Sequence, residues 1–426
     1  MTGVLDHLAA ARRSGQAEGI TSVCSAHPIV LRAALRHGRE NGSKVLIEAT
    51  CNQVNHLGGY TGMQPADFAA LINEIADEEA LPADRIILGG DHLGPNPWRD
   101  RPAQEAMKEA EKMVAAFIKA GFRKIHLDAS MGCKGEAAAL DDQATAERAV
   151  RLAAVAEDIA KAAGGEMPFY IIGTEVPPPG GADHILTTLE PTSRAAARQT
   201  INVHRDLFKK AGLGDAFSRV IGLVVQPGVE FGNHNVIHYD RERAKDLVRL
   251  LDDEPQFVFE AHSTDYQGRG PLRELVDDGC GILKVGPELT FVLREALYAL
   301  DLIASDLLPE YGQRPLYATM EAVMSAQPNY WKGHYEGNES ERRLLRHYSF
   351  SDRIRYYWVA AEAKAAVKRL MDALLGARVP ASLLRQHLPA GERFASAPLN
   401  PEEVLMWRVM RSLDDYQAAC RGSAAA

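Results

Sequence analysis

The chain of 426 residues is long enough for two or three domains of roughly 150 residues, or for one α/β barrel of about 250 with an addition. With 46% hydrophobic and 25% charged residues it is neither a disordered nor a fibrous polymer, and a net charge of −9 speaks against a broad nucleic-acid or anionic-membrane surface. Five scattered cysteines without a CxxC pair, no signal-peptide core and no apolar run of about 18 residues predict a reduced, cytoplasmic protein that does not span a membrane.

In chain order, eight short apolar runs stand out: ITSVCS (20–25), KVLIEAT (44–50), RIILGGDH (85–92), RKIHLDAS (123–130), PFYIIGTE (168–175), RVIGLVVQ (219–226), QFVFEAHS (256–263) and GILKVGPE (281–288). Near-continuous apolar runs are what parallel strands buried on both faces require. Helical patterns separate them, with start signals at His27-Pro28, Pro65, Asp142 and Asp240. After the eighth run, Leu289, Val292, Leu293, Ala296, Leu297 and Leu300 recur at helical spacing and predict an amphipathic helix over 288–307. Strand then helix, eight times, predicts an α/β fold of the (β/α)8 TIM-barrel type over 1–308, opened by an N-terminal helix. From 309 to 426 the strand signal disappears and prolines punctuate helical stretches, which predicts a helical C-terminal extension.

In such barrels the reactive side chains project from the carboxy-terminal ends of the strands. Those ends carry Ser25 and His27, Glu48, Asp91-His92, His126 with Asp128, Glu175, Gln226 with Glu230, Glu260 with His262 and Ser263, and Lys284. So many polar strand ends would be costly in a purely structural barrel, because buried polar groups need partners; an enzyme is the simpler reading. A strand-end carboxylate can instead cap a helix, and a single histidine is more often structural than a ligand. His126 shares its parity with Asp128, so both are expected to point inward. Imidazoles and carboxylates from separate strands suit a divalent metal, zinc first, with manganese or magnesium as alternatives. No GxxxxGK[ST], no GxGxxG at a strand–helix junction and no GxSxG occur, which argues against a P-loop kinase, a Rossmann nicotinamide site and a serine hydrolase. HSTDYQGRG (262–270) and KVGP (284–287) follow strands seven and eight, the usual phosphate cradle of barrels, and nominate Ser263, Lys284 and Gly286 for substrate binding.

The segments SVCSAHP (22–28), IEATCNQVNHLGGYTGM (47–63), ILGGDHLGPN (87–96), KIHLDAS (124–130), IIGTEVPPPGG (172–181), VVQPGVEF (224–231), EAHSTDYQ (260–267), LKVGPELTF (283–291) and SDRIRYYW (351–358) resemble the non-catalytic subunit family of bacterial class II D-tagatose-1,6-bisphosphate aldolase, through the barrel and into the extension. The family carries three labels: aldolase-stabilising subunit, tagatose-6-phosphate kinase, and 4-epimerase of D-tagatose 6-phosphate and D-fructose 6-phosphate. The resemblance implies a phosphorylated ketohexose as substrate, with a catalytic class II aldolase subunit or a second copy of this chain as partners to consider. The kinase label has no phosphate-binding loop behind it. A class II aldolase places an Asp-His pair after one strand and a metal-binding His after a later one, and Asp91-His92 with His262 resemble that arrangement. By that resemblance His92, Glu175 and His262 are the expected metal ligands, Glu230 and His238 being alternatives to Glu175. Epimerisation at carbon 4 by retro-aldol cleavage needs an acid and a base, for which Asp91 and Asp128 come first, then Glu48 and Tyr266.

Overall fold

The computed structural model describes residues 3–173 and 189–421. Eight parallel strands close a barrel: β1 (Ile20–Val23), β2 (Val45–Thr50), β3 (Ile86–Leu93), β4 (Lys124–Leu127), β5 (Phe169–Ile172), β6 (Val220–Val225), β7 (Val258–Ala261) and β8 (Ile282–Val285), each paired with its sequence neighbours and β8 with β1. The fold is the (β/α)8 barrel read from the sequence. The strands stop two or three residues short of most apolar runs, because residues such as Asp128–Ser130 and Gly286–Glu288 leave the ladder to form the mouth. A two-stranded ribbon, Glu230–Phe231 with Val236–Ile237, interrupts the crossover after β6 and has no signature in the sequence pattern.

Helix starts obey local chemistry. The His27 side chain accepts the Ile29 amide and Pro28 opens the helix Pro28–Asn41, which ends at Gly42 in the left-handed region (φ 69°). Asp141 and Asp240 cap Asp142–Ala162 and Arg241–Val248 in the same way.

Alternation divides the barrel interior into two levels. At the amino-terminal end, Ile20, Leu46, Ile87, Ile171, Val258 and Ile282 form a separate apolar cluster, closed from below by Leu5 and Leu8 of the helix Gly3–Arg13. Two residues further along β1, β2, β7 and β8 the inward positions turn polar, as Ser22, Glu48, Glu260 and Lys284. Helices of the extension pack back on the barrel: Pro401–Cys420 lies against Pro28–Asn41, Arg269–Asp277 and Pro287–Leu307. The turn at 349–353 is pinned over the mouth, where Asp352 accepts the Thr290 hydroxyl (2.7 Å) and the Arg294 Nε–H (3.1 Å). Among the described residues no helix is long and apolar enough to cross a membrane.

Candidate active site

The polar level is built by strand parity. Glu48, Asp91, Lys124, His126, Asp128, Glu260, His262 and Lys284 are all buried and project from β2, β3, β4, β7 and β8 or the residues just after them. Glycine makes room for two of them: a Cβ on Gly89 would lie 2.7 Å from Glu48 Cγ, and one on Gly94 would collide with the Asp128 carbonyl at 1.6 Å. β3 loses register with β4 between Gly90 and Leu93, and within this irregularity His92 adopts φ 52°. Ser263 (φ 54°) and Tyr266 (φ 65°) follow β7 in the same sparsely populated region, a conformation seen where the surrounding structure fixes a functional side chain.

Two buried ammonium groups organise the carboxylates. Lys124 Nζ lies 2.7 Å from Glu48 Oε1 and 2.6 Å from Glu260 Oε2. Lys284 Nζ reaches Asp91 Oδ1 (2.7 Å), Glu48 Oε2 (2.8 Å) and Glu260 Oε1 (3.5 Å). Burial works against the charge on Lys284, but Asp91, Cys24, Glu260 and Glu48 outweigh it and hold its pKa above the ordinary range. Asp91 is likewise held well below the carboxylate range, with burial overcome by His92, Lys284 and its bond to His126.

Each of three histidines faces a carboxylate: His92 Nδ1–Asp128 Oδ2 at 2.8 Å, His126 Nδ1–Asp91 Oδ1 at 2.9 Å and His262 Nε2–Glu260 Oε1 at 3.0 Å. Their ring centroids are 5.0 to 5.2 Å apart. His126 Nδ1 also lies 3.2 Å from the His92 amide, yet one nitrogen cannot both donate to Asp91 and accept that amide. The charge of Asp91 selects the Nδ1–H tautomer, so Nε2 of His126 is a buried lone pair without a hydrogen-bond partner among the described residues. Desolvation holds His262 neutral, its pKa pushed down to about 3 despite Glu260. His92 is raised, because Asp91 and Asp128 outweigh the same burial.

The donor set suits a divalent cation. Asp91, His126, Glu260 and His262 each offer one ligand atom, all within 4.8 Å of one another. The four buried carboxylates Glu48, Asp91, Asp128 and Glu260 face two ammonium groups, which leaves two negative charges before any histidine is protonated. Asp128, outside the donor set, lies behind the His92 imidazole and orients that ring.

Above this floor lies a cavity of about 550 Å³ reached by Asp91, His92, His262 and Lys284. Its walls come from the residues after β1, β2, β7 and β8, and its roof from Arg355, Tyr356 and Trp358 of the extension.

The expected residues are distributed as follows. Asp91 and His262 belong to the four-residue donor set, and His92 stands beside it with Nε2 3.7 Å from Asp91 Oδ2. Asp128 is buried behind His92 and also accepts the Ser130 hydroxyl (2.9 Å). Glu48 is enclosed by Lys124, Lys284 and the Ser22 hydroxyl. Ser263 and Gly286 line the cavity, but the Gly286 amide is taken by Asp265 Oδ1 (3.0 Å) and the Lys284 ammonium by three carboxylates, so neither is a ready phosphate donor. Glu175 lies outside the described residues. Of its alternatives, Glu230 is buried, raised to about 7 by desolvation, and outside the donor set, while His238 is exposed. The Tyr266 hydroxyl is committed to the Phe350 carbonyl (2.7 Å). The sequence reading gave no role to Lys124 or Glu260; the alternation Lys124-His126-Asp128 and Glu260-His262 was the available signal.

A (β/α)8 barrel with a carboxylate–histidine–lysine site at its mouth is the class of protein that fold and site define. The chain belongs to the D-tagatose-1,6-bisphosphate aldolase subunit GatZ/KbaZ-like family, which it matches over residues 5–421. It is 60% identical over 419 residues to a protein of Agrobacterium fabrum named D-tagatose 6-phosphate 4-epimerase, covering 98% of this chain and 99% of that one. It also resembles the crystal structure of a probable tagatose 6-phosphate kinase from Sinorhizobium meliloti 1021, with 53% identity, a TM-score of 0.87, and coverage of 94% of this chain and 100% of the other.

Proposed function

We propose that the protein is an isomerase, a 4-epimerase that interconverts D-tagatose 6-phosphate and D-fructose 6-phosphate by retro-aldol chemistry. The observation that carries the reading is the donor set Asp91, His126, Glu260 and His262 at the floor of a sugar-sized cavity, beside the pair His92–Asp128. The 60% identity to a protein named for that activity supports the same substrate.

The hydrogen on carbon 4 of a 2-ketose is not adjacent to the carbonyl, so its removal gives no stabilised carbanion. Oxidation at carbon 4 would need a hydride acceptor, and the sequence lacks the Rossmann fingerprint. Cleavage between carbons 3 and 4 avoids both problems. A base takes the proton of the carbon 4 hydroxyl, the bond breaks, and its electron pair becomes the enediolate of dihydroxyacetone while carbon 4 becomes the aldehyde of glyceraldehyde 3-phosphate. Rotation of that aldehyde and re-addition on its other face inverts carbon 4, and an acid returns the proton.

Asp91, kept ionised and reaching the cavity, takes the proton. His92 delivers one through Nε2, its Nδ1–H donated to Asp128; this orients the ring much as a buried aspartate orients a catalytic histidine. Lys284 and Glu48 fix the Asp91 carboxylate in place. A divalent cation, zinc first, would be held by His126, Glu260 and His262, leaving Asp91 to take the proton, and would stabilise developing negative charge on the ketose oxygens.

The test is to supply the purified chain with a divalent metal and D-tagatose 6-phosphate deuterated at carbon 4. D-fructose 6-phosphate should form with the label retained, because that hydrogen stays on its carbon through cleavage and re-addition. Asp91→Asn should lower kcat by about 10²–10⁴-fold in a folded protein. Loss of label to solvent excludes the retro-aldol route. Absence of product under all metals favours the second reading, raised by the family's description as an aldolase subunit, in which the chain supports a separate catalytic aldolase.

A further inference from the structure

The usual phosphate site of a barrel, the helix N-terminus after the eighth strand, is already filled here. Asp265 Oδ1 accepts the amides of Gly286 (3.0 Å) and Glu288 (2.8 Å), and Pro287 between them has no N–H. A phosphoryl group brought to those donors would meet the protein's own carboxyl. At the floor, Lys284 is enclosed by Asp91, Glu48 and Glu260. The anionic end of a sugar phosphate therefore needs cations elsewhere on the cavity wall.

The roof provides them. Arg355 lines the cavity and forms no ion pair with a carboxylate among the described residues; its guanidinium is aligned by the carbonyls of Ser351 and Asp352 and by the Tyr356 hydroxyl (2.9 Å). Lys364 and Lys368 occupy one face of the helix Ala361–Leu374 at i,i+4 spacing and reach the same cavity; Lys364 is also without a carboxylate partner among the described residues. Trp358, buried in the same wall at 6% exposure, has an indole N–H with no hydrogen-bond acceptor among the described residues. Two cations with no carboxylate at ion-pair distance among the described residues, Asp352 acting on Arg355 only from farther off, and an unsatisfied indole donor around one cavity are the complement of an anionic ligand group.

We infer that the C-terminal extension carries the phosphoryl subsite, with Arg355 and Lys364 as its anchors and Trp358 as a further donor. The inference rests on the proposed reaction and adds a function to the extension. In that reaction the phosphate sits on carbon 6, two carbons from the atom that inverts. Holding it at the roof tethers the cleaved aldehyde by its far end, so the carbonyl can turn over the floor while the fragment stays in the cavity. The turn 349–353, tied to the barrel helix through Asp352, Thr290 and Arg294, sets the height of that anchor above Asp91.

Calorimetry with inorganic phosphate and with D-fructose 6-phosphate tests this, using the full chain and the variants Arg355→Gln, Arg355→Lys and Lys364→Gln. Removing one charge-assisted contact should weaken D-fructose 6-phosphate binding by roughly 10- to 100-fold, with Arg355→Lys recovering part of the loss. In turnover assays the same variants should raise KM for D-tagatose 6-phosphate more than they change the reaction of unphosphorylated D-tagatose, a split that general loosening of the fold would not produce. Arg355 also braces a turn, so unaltered thermal unfolding qualifies its variants; exposed Lys364 decides if they misfold. Wild-type binding of both probes that the variants leave undiminished, or no wild-type binding at all, overturns the inference. Wild-type binding that is lost in the variants without any epimerisation would sustain the subsite while removing the proposed reaction.

Discussion

The two ends of the barrel interior are built by one rule and do opposite things. Along β2 the inward side chains run Leu46 then Glu48, along β7 Val258, Glu260 and His262, and along β8 Ile282 then Lys284. The first position of each series joins the apolar plug under the helix Gly3–Arg13, and the next joins the charged floor of the cavity. A rise of two residues, about 6.6 Å, separates a level that only stabilises from one that must hold charge. The lower level needs nothing but volume and apolarity, whereas the upper one is in place only as a complete set of partners. The division is the one expected of barrels, where the amino-terminal end secures the fold and the carboxy-terminal end carries the chemistry.

Breaking one member of the upper set should have the largest effect on stability. In Lys124→Met, a change of similar length, Glu48 and Glu260 lose the ammonium that lies 2.7 and 2.6 Å from them, with no solvent to replace it. Removing one partner of a buried ion pair costs about 3–5 kcal/mol, and activity should fall with it because Glu48 and Glu260 then compete for Lys284. Denaturant unfolding combined with turnover per folded molecule reads both. A variant as stable and as active as the parent would show that the upper level tolerates apolar filling as the lower one does.

How far this division could be read from sequence depends on the range of the forces involved. The barrel was legible because strand and helix periods are local, and helix starts at Pro28, Pro65 and Asp142 fell where proline and capping chemistry put them. Asp91, His92 and His262 stood out because they close apolar runs. Lys124 did not, because it opens its strand, and only the inward alternation shared with His126 and Asp128 marks it as a partner of Glu48 across the barrel. Strand lengths were overestimated where mouth residues continue an apolar run without pairing. The roof was the least legible part: SDRIRYYW (351–358) was visible as a motif, but its place above the cavity depends on Asp352 meeting Thr290 and Arg294, contacts some sixty residues apart that no periodicity records. The donors of Gly286 looked free for phosphate because nothing local shows that Asp265 folds onto them.

A matched disturbance of the lower level sharpens the contrast. Leu46 is fully buried in the apolar plug, on the inward face directly before Glu48. Leu46→Ala should lower unfolding stability by about 2–5 kcal/mol, the combined cost of lost burial and a residual cavity. Because the plug holds no charge, kcat/KM per folded molecule should stay within a few-fold of the parent. Equal losses of activity in Leu46→Ala and Lys124→Met would mean that the two levels form one mechanical unit, and the comparison would fail.

The last disturbance, read across pH rather than at one value, belongs to the rim, where Asp265 occupies the helix N-terminus. Burial first, and then the neighbouring charge of Glu288, raise its pKa to about 7, against an ordinary value of about 3.9 in the unfolded chain. Between those values the native protein holds a proton that the unfolded chain has released. Stability therefore falls as pH rises from about 4 to about 7, with a slope from this group of at most roughly 1.4 kcal/mol per pH unit, and levels off above. Asp265→Asn keeps Oδ1, the atom that accepts both amides, and removes the titration. Glu230 is raised to about 7 as well, so the wild-type slope alone would not identify the group, but the difference between wild type and Asp265→Asn isolates it. Unfolding free energies measured across that window should diverge, the variant gaining on the wild type as pH rises. Parallel curves would show that Asp265 does not change charge there, and that the helix end holds its carboxylate ionised, in the manner of a bound anion, throughout.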